Sequence, residues 1–286
     1  MIHDGRNIMS IKHSRVLKGT LLTIFGLFVV TIYLGPVFWI FSTSLRLPKD
    51  SFRWPPSFFP TSFHFNNYQQ LFKSVPFGNF MVNSFYVAFL VMIGQTVINC
   101  MMAFAFSRLS FKGRDVLFII ILAGLMVPSQ AAIIPLFLVV KAMNATNNHI
   151  ALILPALMSP LSVFMLKQEM LTIPKSFEEA AEMDGASIWY RFLHVIVPMS
   201  KSSIAMVAVF AFLNSWNDYF RALIFISDFK KMTIPVGVQM LKGFMGSGSV
   251  SVIFAGVIMS LLIPLILFLF FQKYIMKGVR SGGLKG

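Results

Sequence analysis

The sequence predicts an all-α membrane protein with six transmembrane helices and both termini on the cytoplasmic side. Three observations carry this. Of 286 residues, 57% are hydrophobic and only 12% charged, with a mean hydropathy of +0.77. A soluble domain carries roughly 25% charged residues. The apolar residues come in runs of about twenty, the length that crosses a hydrocarbon layer roughly 30 Å thick. The basic residues, which give a net charge of +14, collect at the ends of those runs. There they orient a membrane protein, and no basic helix with interleaved aromatics stands clear to bind nucleic acid.

The spans read as 20–41, 82–106, 116–140, 150–166, 202–226 and 252–276. The first follows a basic segment, 1–19, holding Arg6, Lys12, Arg15 and Lys18. Its 22-residue, largely apolar stretch exceeds the ~7–15 residues of a signal-peptide core, so it reads as an uncleaved anchor. Positions 82–276 form a five-helix core, and 277–286 a short tail. With the N-terminus inside, fifteen Lys and Arg fall in inner segments and eight in outer ones, which places both ends in the cytoplasm. The tight loop 107–115 contributes Arg108, Lys112 and Arg114 to the inner count. Cys100 is the single cysteine, so no intrachain disulfide forms.

Two connections are longer than turns. The outer segment 42–81 contains Trp54, Pro55, Pro56 and Pro60 and reads as an irregular loop at the headgroup zone, because proline blocks regular structure and Trp favours that depth. A second outer segment, 227–251, holds Gly237, Gly243, Gly246 and Gly248 and reads as flexible, either a plain linker or a reach toward a partner.

The inner segment 167–201 is different. Five of the chain's ten acidic residues lie between Glu169 and Asp184. Ser176-Phe177-Glu178-Glu179 after Pro174 has the pattern of a capping box, with Ser176 capping the helix and Glu179 reaching back. A short helix through Ala180, Ala181 and Met183 follows, and Gly185 supplies a left-handed turn to end it. Trp189, Phe192, Leu193 and Ile196 then form one apolar stripe of a second helix, which Pro198 stops. Such a helix–turn–helix outside the bilayer folds back on its own helix ends, lies in the interface as an amphipathic helix, or docks on a soluble partner.

Polar residues within spans are expensive to desolvate and mark candidate pathways. Span five carries Asn214, Ser215, Trp216, Asn217, Asp218 and Arg221. Asp218 and Arg221 are three apart and can pair across one turn. Span three holds Ser129 and Gln130 between Pro128 and Pro135, a bend that is tolerated where neighbours or a water-filled cavity satisfy the freed carbonyls. Asn83, Gln95 and Asn99 in span two are better suited to interhelical hydrogen bonds.

The stretch Glu179-Ala180-Ala181-x-x-Asp184-Gly185-Ala186, followed by Phe192, Ile196 and Pro198, resembles the EAA loop of ABC importer permeases. Ile173-Pro174-Lys175 before it and Asn214-Ser215-Trp216-Asn217-Asp218 after it are similar to the MalG-like permease subunits of maltose-type carbohydrate importers. Asn83-Ser84, Val127-Pro128-Ser129-Gln130 and the tail Gln272-Lys273-Tyr274 to Lys277-Gly278 extend the resemblance from about residue 36 to the C-terminus. Val197 and Arg221 depart from it, standing where the family more often has Leu and an apolar residue.

The resemblance implies a type I importer fold in the bacterial inner membrane and a binding-protein-dependent subunit of a heteromeric complex. It implies four kinds of partner besides the lipid bilayer: a dimer of cytoplasmic ABC ATPases, a second homologous permease, an extracytoplasmic solute-binding protein and a carbohydrate cargo. The coupling residues would be Glu178, Glu179, Ala180, Ala181, Asp184, Gly185, Ala186, Phe192, Ile196 and Pro198, with the loop seated in an ATPase cleft and moved as a lever. Candidate pathway residues are Ser129, Gln130, Asn214, Asn217 and Asp218. The chain itself has no G-x-x-x-x-G-K-[ST] phosphate loop, so ATP and Mg would sit on the partner ATPase, with no cofactor on this chain. An ion-coupled secondary transporter is the alternative; it would want acidic residues at mid-membrane in paired repeats, and Asp218 is the only acidic residue in a span. The five histidines are scattered and form no catalytic motif or metal pattern, so an enzyme is not expected.

Overall fold

A computed structural model describes residues 5–47, 58–60, 63–244 and 249–283, with side chains over 18–47, 58–60, 63–241 and 249–273. Among these the secondary structure is entirely helical. The chain forms two compact units, residues 1–71 with 245–258 and residues 72–244 with 259–286.

In the first unit, helix α1 (Gly5–Ser44) runs through the predicted anchor. Its C-terminal end closes in a polar knot rather than an irregular loop. Asn67, on α2 (Asn66–Ser74), donates its amide to the carbonyls of Ser44 and Arg46, both at 2.8 Å. Arg46 Nη2 donates to Ser42 Oγ at 3.0 Å. These are the carbonyls that a helix end leaves without partners, and a buried amide is a compact way to satisfy them. Part of the expected outer loop is therefore helical. Its Trp54, Pro55 and Pro56 lie outside the described residues.

In the second unit, α3 (Phe77–Arg108) is the axis. After it come α4 (Arg114–Ala123), α5 (Ile133–Ala142), the short α6 (Ile150–Ile153), α7 (Pro160–Thr172), α8 (Ser176–Met183) and the single turns α9 (Ile188–Tyr190) and α10 (Val197–Met199). Then follow α11 (Lys201–Trp216), α12 (Tyr219–Phe225) and α13 (Ile234–Phe244); α14 (Val250–Gly283) closes the chain. α7 and α11 pack along α3. Ala103 of α3, Leu166 and Met170 of α7 and Val207 of α11 are buried in one cluster. Gln95 of α3 donates to Ser162 of α7 at 3.2 Å, and Asn99 Oδ1 accepts the backbone N–H of Ser159 at 3.4 Å, so both act between helices as their sequence context suggests.

Among the described residues, four helical stretches are long and apolar enough to cross a bilayer: Lys18–Ser44, Phe77–Arg108, Ile150–Thr172 and Val250–Lys273. A fifth exists if Ile188–Met199 and Lys201–Trp216, bent by 82°, count as one. The predicted third span, 116–140, is broken. α4 passes through a 3-10 turn at Gly124–Met126 and the chain re-enters a helix only at Ile133. Pro128 and Pro135 withhold two backbone donors there, so a continuous ladder is not available. The fifth predicted span is interrupted at Asn217, because Asp218 caps a new helix by accepting the N–H of Arg221 at 3.2 Å.

Much of segment 227–251 is ordered rather than flexible. α13 occupies 234–244, and Gly237 faces the ring of buried Phe80. The strand of chain before it is tied down by side chains. Asn83 donates to the carbonyls of Lys230 and Met232 at 2.8 and 3.0 Å, and Ser84 Oγ accepts the N–H of Ile234 at 2.7 Å. Gly246 and Gly248 lie outside the described residues.

Candidate functional site

The loop predicted to couple forms from the bottom up as a capped pair of helices. Lys175 is already in helical geometry (φ −61°, ψ −27°), so Ser176 is the first helical residue and no capping box forms. Its hydroxyl is thereby carried past the position from which it could reach the orphan N–H groups. The C-terminal expectation holds. Gly185 takes φ +80°, its N–H bonds to Glu182 O, and the Ala186 N–H bonds to Ala181 O, both at 2.9 Å. This is a Schellman turn. Ser187 then caps the next helix by accepting the N–H of Tyr190 at 3.2 Å; the sequence reading passed over it.

The second helix is wound more widely than expected. Residues Arg191–Ile196 form a π turn, with the Val197 N–H bonded to Phe192 O. A wider turn changes which residues share a face. Phe192 and Ile196 point inward, join Phe104 and Met170 in the core and are 6% and 0% exposed. Trp189 and Leu193, 61% and 52% exposed, face outward. One predicted stripe has become two faces. Pro198 follows the π turn, and the 82° bend falls at Ser200.

The adjacent glutamates also part company. Glu179 is exposed, with Ala180, Asp184 and Gly185 exposed beside it and Ala181 and Ala186 half-buried. Glu178 turns inward to Arg108, the last residue of α3; their side chains are 12% and 3% exposed. Arg108 Nε lies 3.0 Å from Glu178 Oε1 but off the N–H axis, so the attraction is Coulombic rather than a directed hydrogen bond. Arg108 Nη2 donates to the carbonyl of Ile173, at 2.8 Å, and to that of Met170. Arg191 Nη1 donates to Glu182 Oε2 at 2.6 Å and braces the two loop helices against each other. In the sequence Arg108 counted only as an inside charge; nothing local links it to a carboxylate seventy positions on. Next to it, Arg114 hydrogen-bonds Asp115 at 3.0 Å and holds that carboxyl below the ordinary carboxylate range.

The second candidate region is a cavity of about 620 Å³. It brings together Ser129, Gln130, Asn214 and Asp218 from the predicted pathway, with Gln95 and Arg221 added. Asn217 does not line it; its amide turns back to Leu213 O at 2.8 Å. Asp218 and Arg221 form the predicted i,i+3 ion pair. Ser129 Oγ donates to Gln130 Oε1 at 3.1 Å. The interruptions at 124–132 and at Asn217 both border this space, through Ser129 and Gln130 and through Asn214 and Asp218. The volume suits a solute of a few rings, and the lining is mainly apolar with a few convergent polar groups.

Long apolar helices, with interrupted apolar segments beside a mainly apolar cavity that a few polar groups enter and an ion-paired helical knob at the end of α3, define a membrane-embedded solute permease. The chain belongs to the family described as binding-protein-dependent transport system inner membrane component, whose model matches residues 95–281. Among characterised relatives, the sulfoquinovosyl glycerol transport system permease protein SmoH of Agrobacterium fabrum is 32% identical, over 96% of this chain and 94% of that one. The trehalose transport system permease protein SugB of Mycobacterium tuberculosis is 32% identical, over 94% and 98%. The arabinooligosaccharides transport system permease protein AraQ of Bacillus subtilis is 29% identical, over 93% and 95%. In fold, the chain matches a crystal structure of a bacterial ABC transporter involved in alginate import with a TM-score of 0.78 at 23% identity, over 93% of this chain and 98% of that one. It is a permease subunit of an ABC importer and a multi-pass inner-membrane protein. ATP hydrolysis belongs to a separate subunit.

Proposed function

We propose that this subunit carries a sugar or oligosaccharide through the cavity at Gln130, Asn214 and Asp218, and that its loop 167–201 is the seat of a cytoplasmic ATPase. In this reading six spans cross the membrane, the third and fifth broken, with 1–19 and 277–286 in the cytoplasm. A second homologous permease completes the pathway, and an extracytoplasmic solute-binding protein delivers cargo to the outer connections.

The observation that carries the reading is a sorting of contacts by side. Residues expected at or beyond the outer ends of the spans bond to one another: Asn83, at the start of span two, to Lys230, and Asn147 to Ser227 and Asp228. Segments expected inside do the same, as Arg108 with Ile173 and Glu178. Two independent sets of contacts thus agree with the alternation derived from basic residues. The carbohydrate class is supported by the relatives' cargoes and by the amide, hydroxyl and ion-pair groups that enter a mainly apolar lining, an arrangement that can hold sugar faces and hydroxyls together.

The test is uptake by the assembled complex in liposomes, with its binding protein and ATP inside. Glycans are expected to stimulate ATP hydrolysis and accumulate. Stimulation by a non-carbohydrate solute with none by any glycan overturns the cargo class; uptake that follows an ion gradient without ATP restores the secondary-transporter alternative. Gln130→Ala is expected to raise the KM for uptake while leaving assembly intact.

A further inference from the structure

Three helix ends meet at one guanidinium. Arg108 is the C-terminal residue of α3, its Nη2 donates to the carbonyls of Met170 and Ile173 that close α7, and its Nε faces Glu178 in the first turn of α8. The Met170 carbonyl also accepts the N–H of Ile173 at 3.2 Å, the Ile173 carbonyl lies just past the helix end, and a cation at such a C-terminus is favoured by the helix dipole. Glu178 is favoured at the positive end of α8 for the converse reason. Every one of these groups is nearly shielded from water, with the Arg108 side chain 3% exposed. Contacts of charges in such a setting are screened little and hold a definite geometry.

Resting on the reading of loop 167–201 as the ATPase seat, we propose that Arg108 is the positioning residue that converts motion of α8 into motion of the spans. The exposed side of α8, with Glu179 and Asp184, is free to meet a partner. Its inner side is fastened by Glu178 to the end of α3, which runs the length of the unit and bears on the cavity through Gln95. The neighbouring glutamates therefore have opposite duties: Glu179 faces the partner and Glu178 holds the transmission. The planar fork is needed because one end must reach two carbonyls while the other faces a carboxylate; a lysine ammonium supplies charge without that span.

The experiment compares variants in the complete reconstituted complex, reading solute imported per ATP hydrolysed and co-purification of the ATPase. Arg108→Gln and Glu178→Gln are each expected to lower the import-to-hydrolysis ratio by about fivefold or more, the low end of a typical coupling between two sites. ATPase co-purification stays near normal. The double variant is expected to be no worse than Arg108→Gln alone, and Arg108→Lys to recover part of the ratio. An unchanged ratio in Glu178→Gln overturns the proposal, including where Arg108→Gln fails to assemble. Gly185→Val, which forces a branched residue to φ +80°, separates the two readings. If it too leaves hydrolysis and import coupled, the ATPase seat itself is wrong; if it uncouples while Glu178→Gln does not, only the role of Arg108 falls.

Discussion

Gly237 and Phe80 are in contact so close that a methyl group at 237 would lie 2.2 Å from the ring carbon Cδ2 and 2.6 Å from Cε2. The ring is fully buried and is held edge-on by Phe229, 5.5 Å away between centroids. In a helix, Gly→Ala normally gains about 1 kcal/mol, but overpacking a fixed ring costs about 1–3 kcal/mol. Gly237→Ala is expected to lower the thermal midpoint of the detergent-solubilised protein by several degrees, and Phe80→Leu to relieve it. A raised midpoint in the single variant would show that the ring yields.

Asn147 holds the connection at 227–231. It sits at φ +58°, its Oδ1 accepts the N–H groups of Ser227 and Asp228 at 3.2 and 2.9 Å, and its carbonyl accepts from Lys231 Nζ at 3.1 Å. Asn147→Gly preserves the backbone and deletes two bonds worth about 1 kcal/mol each, which predicts amide exchange at 227 and 228 faster by roughly thirtyfold. Unaltered exchange at both amides would mean the loop is held by other contacts.

Trp189 and Phe192 test the split stripe. Phe192→Ala empties a core position, an expected loss of about 3–5 kcal/mol, seen as a collapse in folded yield. Trp189→Ala removes mostly exposed surface and one edge-on contact with Phe192, 6.0 Å between centroids, worth about 0.5–1.5 kcal/mol, so the isolated subunit should melt far closer to the parent than Phe192→Ala does. If Trp189 is an anchor for the ATPase, its removal weakens association by about 2 kcal/mol, or roughly thirtyfold in Kd. Equal effects of the two variants on melting would mean the two faces are not distinct.

Asp218 has two tasks that conservative substitutions separate. Its Oδ1 caps α12 and its other oxygen pairs with Arg221. Asp218→Asn keeps the cap, whereas Asp218→Ala loses it at a cost of about 0.5–2 kcal/mol. The Asn variant should therefore melt near the parent yet import with altered kinetics, because Arg221 is left with its charge unbalanced in the cavity. Parent-like uptake by the Asn variant would remove the ion pair from the pathway.

The parts legible in the sequence are those set by local rules. α3, the Gly185 turn, the Asp218–Arg221 pair and the inner and outer charge pattern each follow from residues within one or two turns of each other. The capping-box pattern at Ser176 does not form because Lys175 enters the helix a residue early. The stripe at 189–196 divides because a 3.6-residue period does not hold through a π turn, a winding with no reliable signature in residue type. The breaks at 124–132 and at Asn217 were visible only as prolines and polar residues, which mark a disturbance without giving its geometry.

What the sequence determined alone was membrane residence, helical class and the loop that resembles a coupling element, since hydropathy and turn chemistry are properties of neighbours in the chain. Tertiary structure decided which glutamate faces outward, which aromatics are core and that Arg108 joins α3, α7 and α8. The reason is distance along the chain: Arg108 and Glu178 lie far apart in sequence and 3.0 Å apart in space. Only the packing of α7 and α11 on α3 brings that guanidinium to its carboxylate.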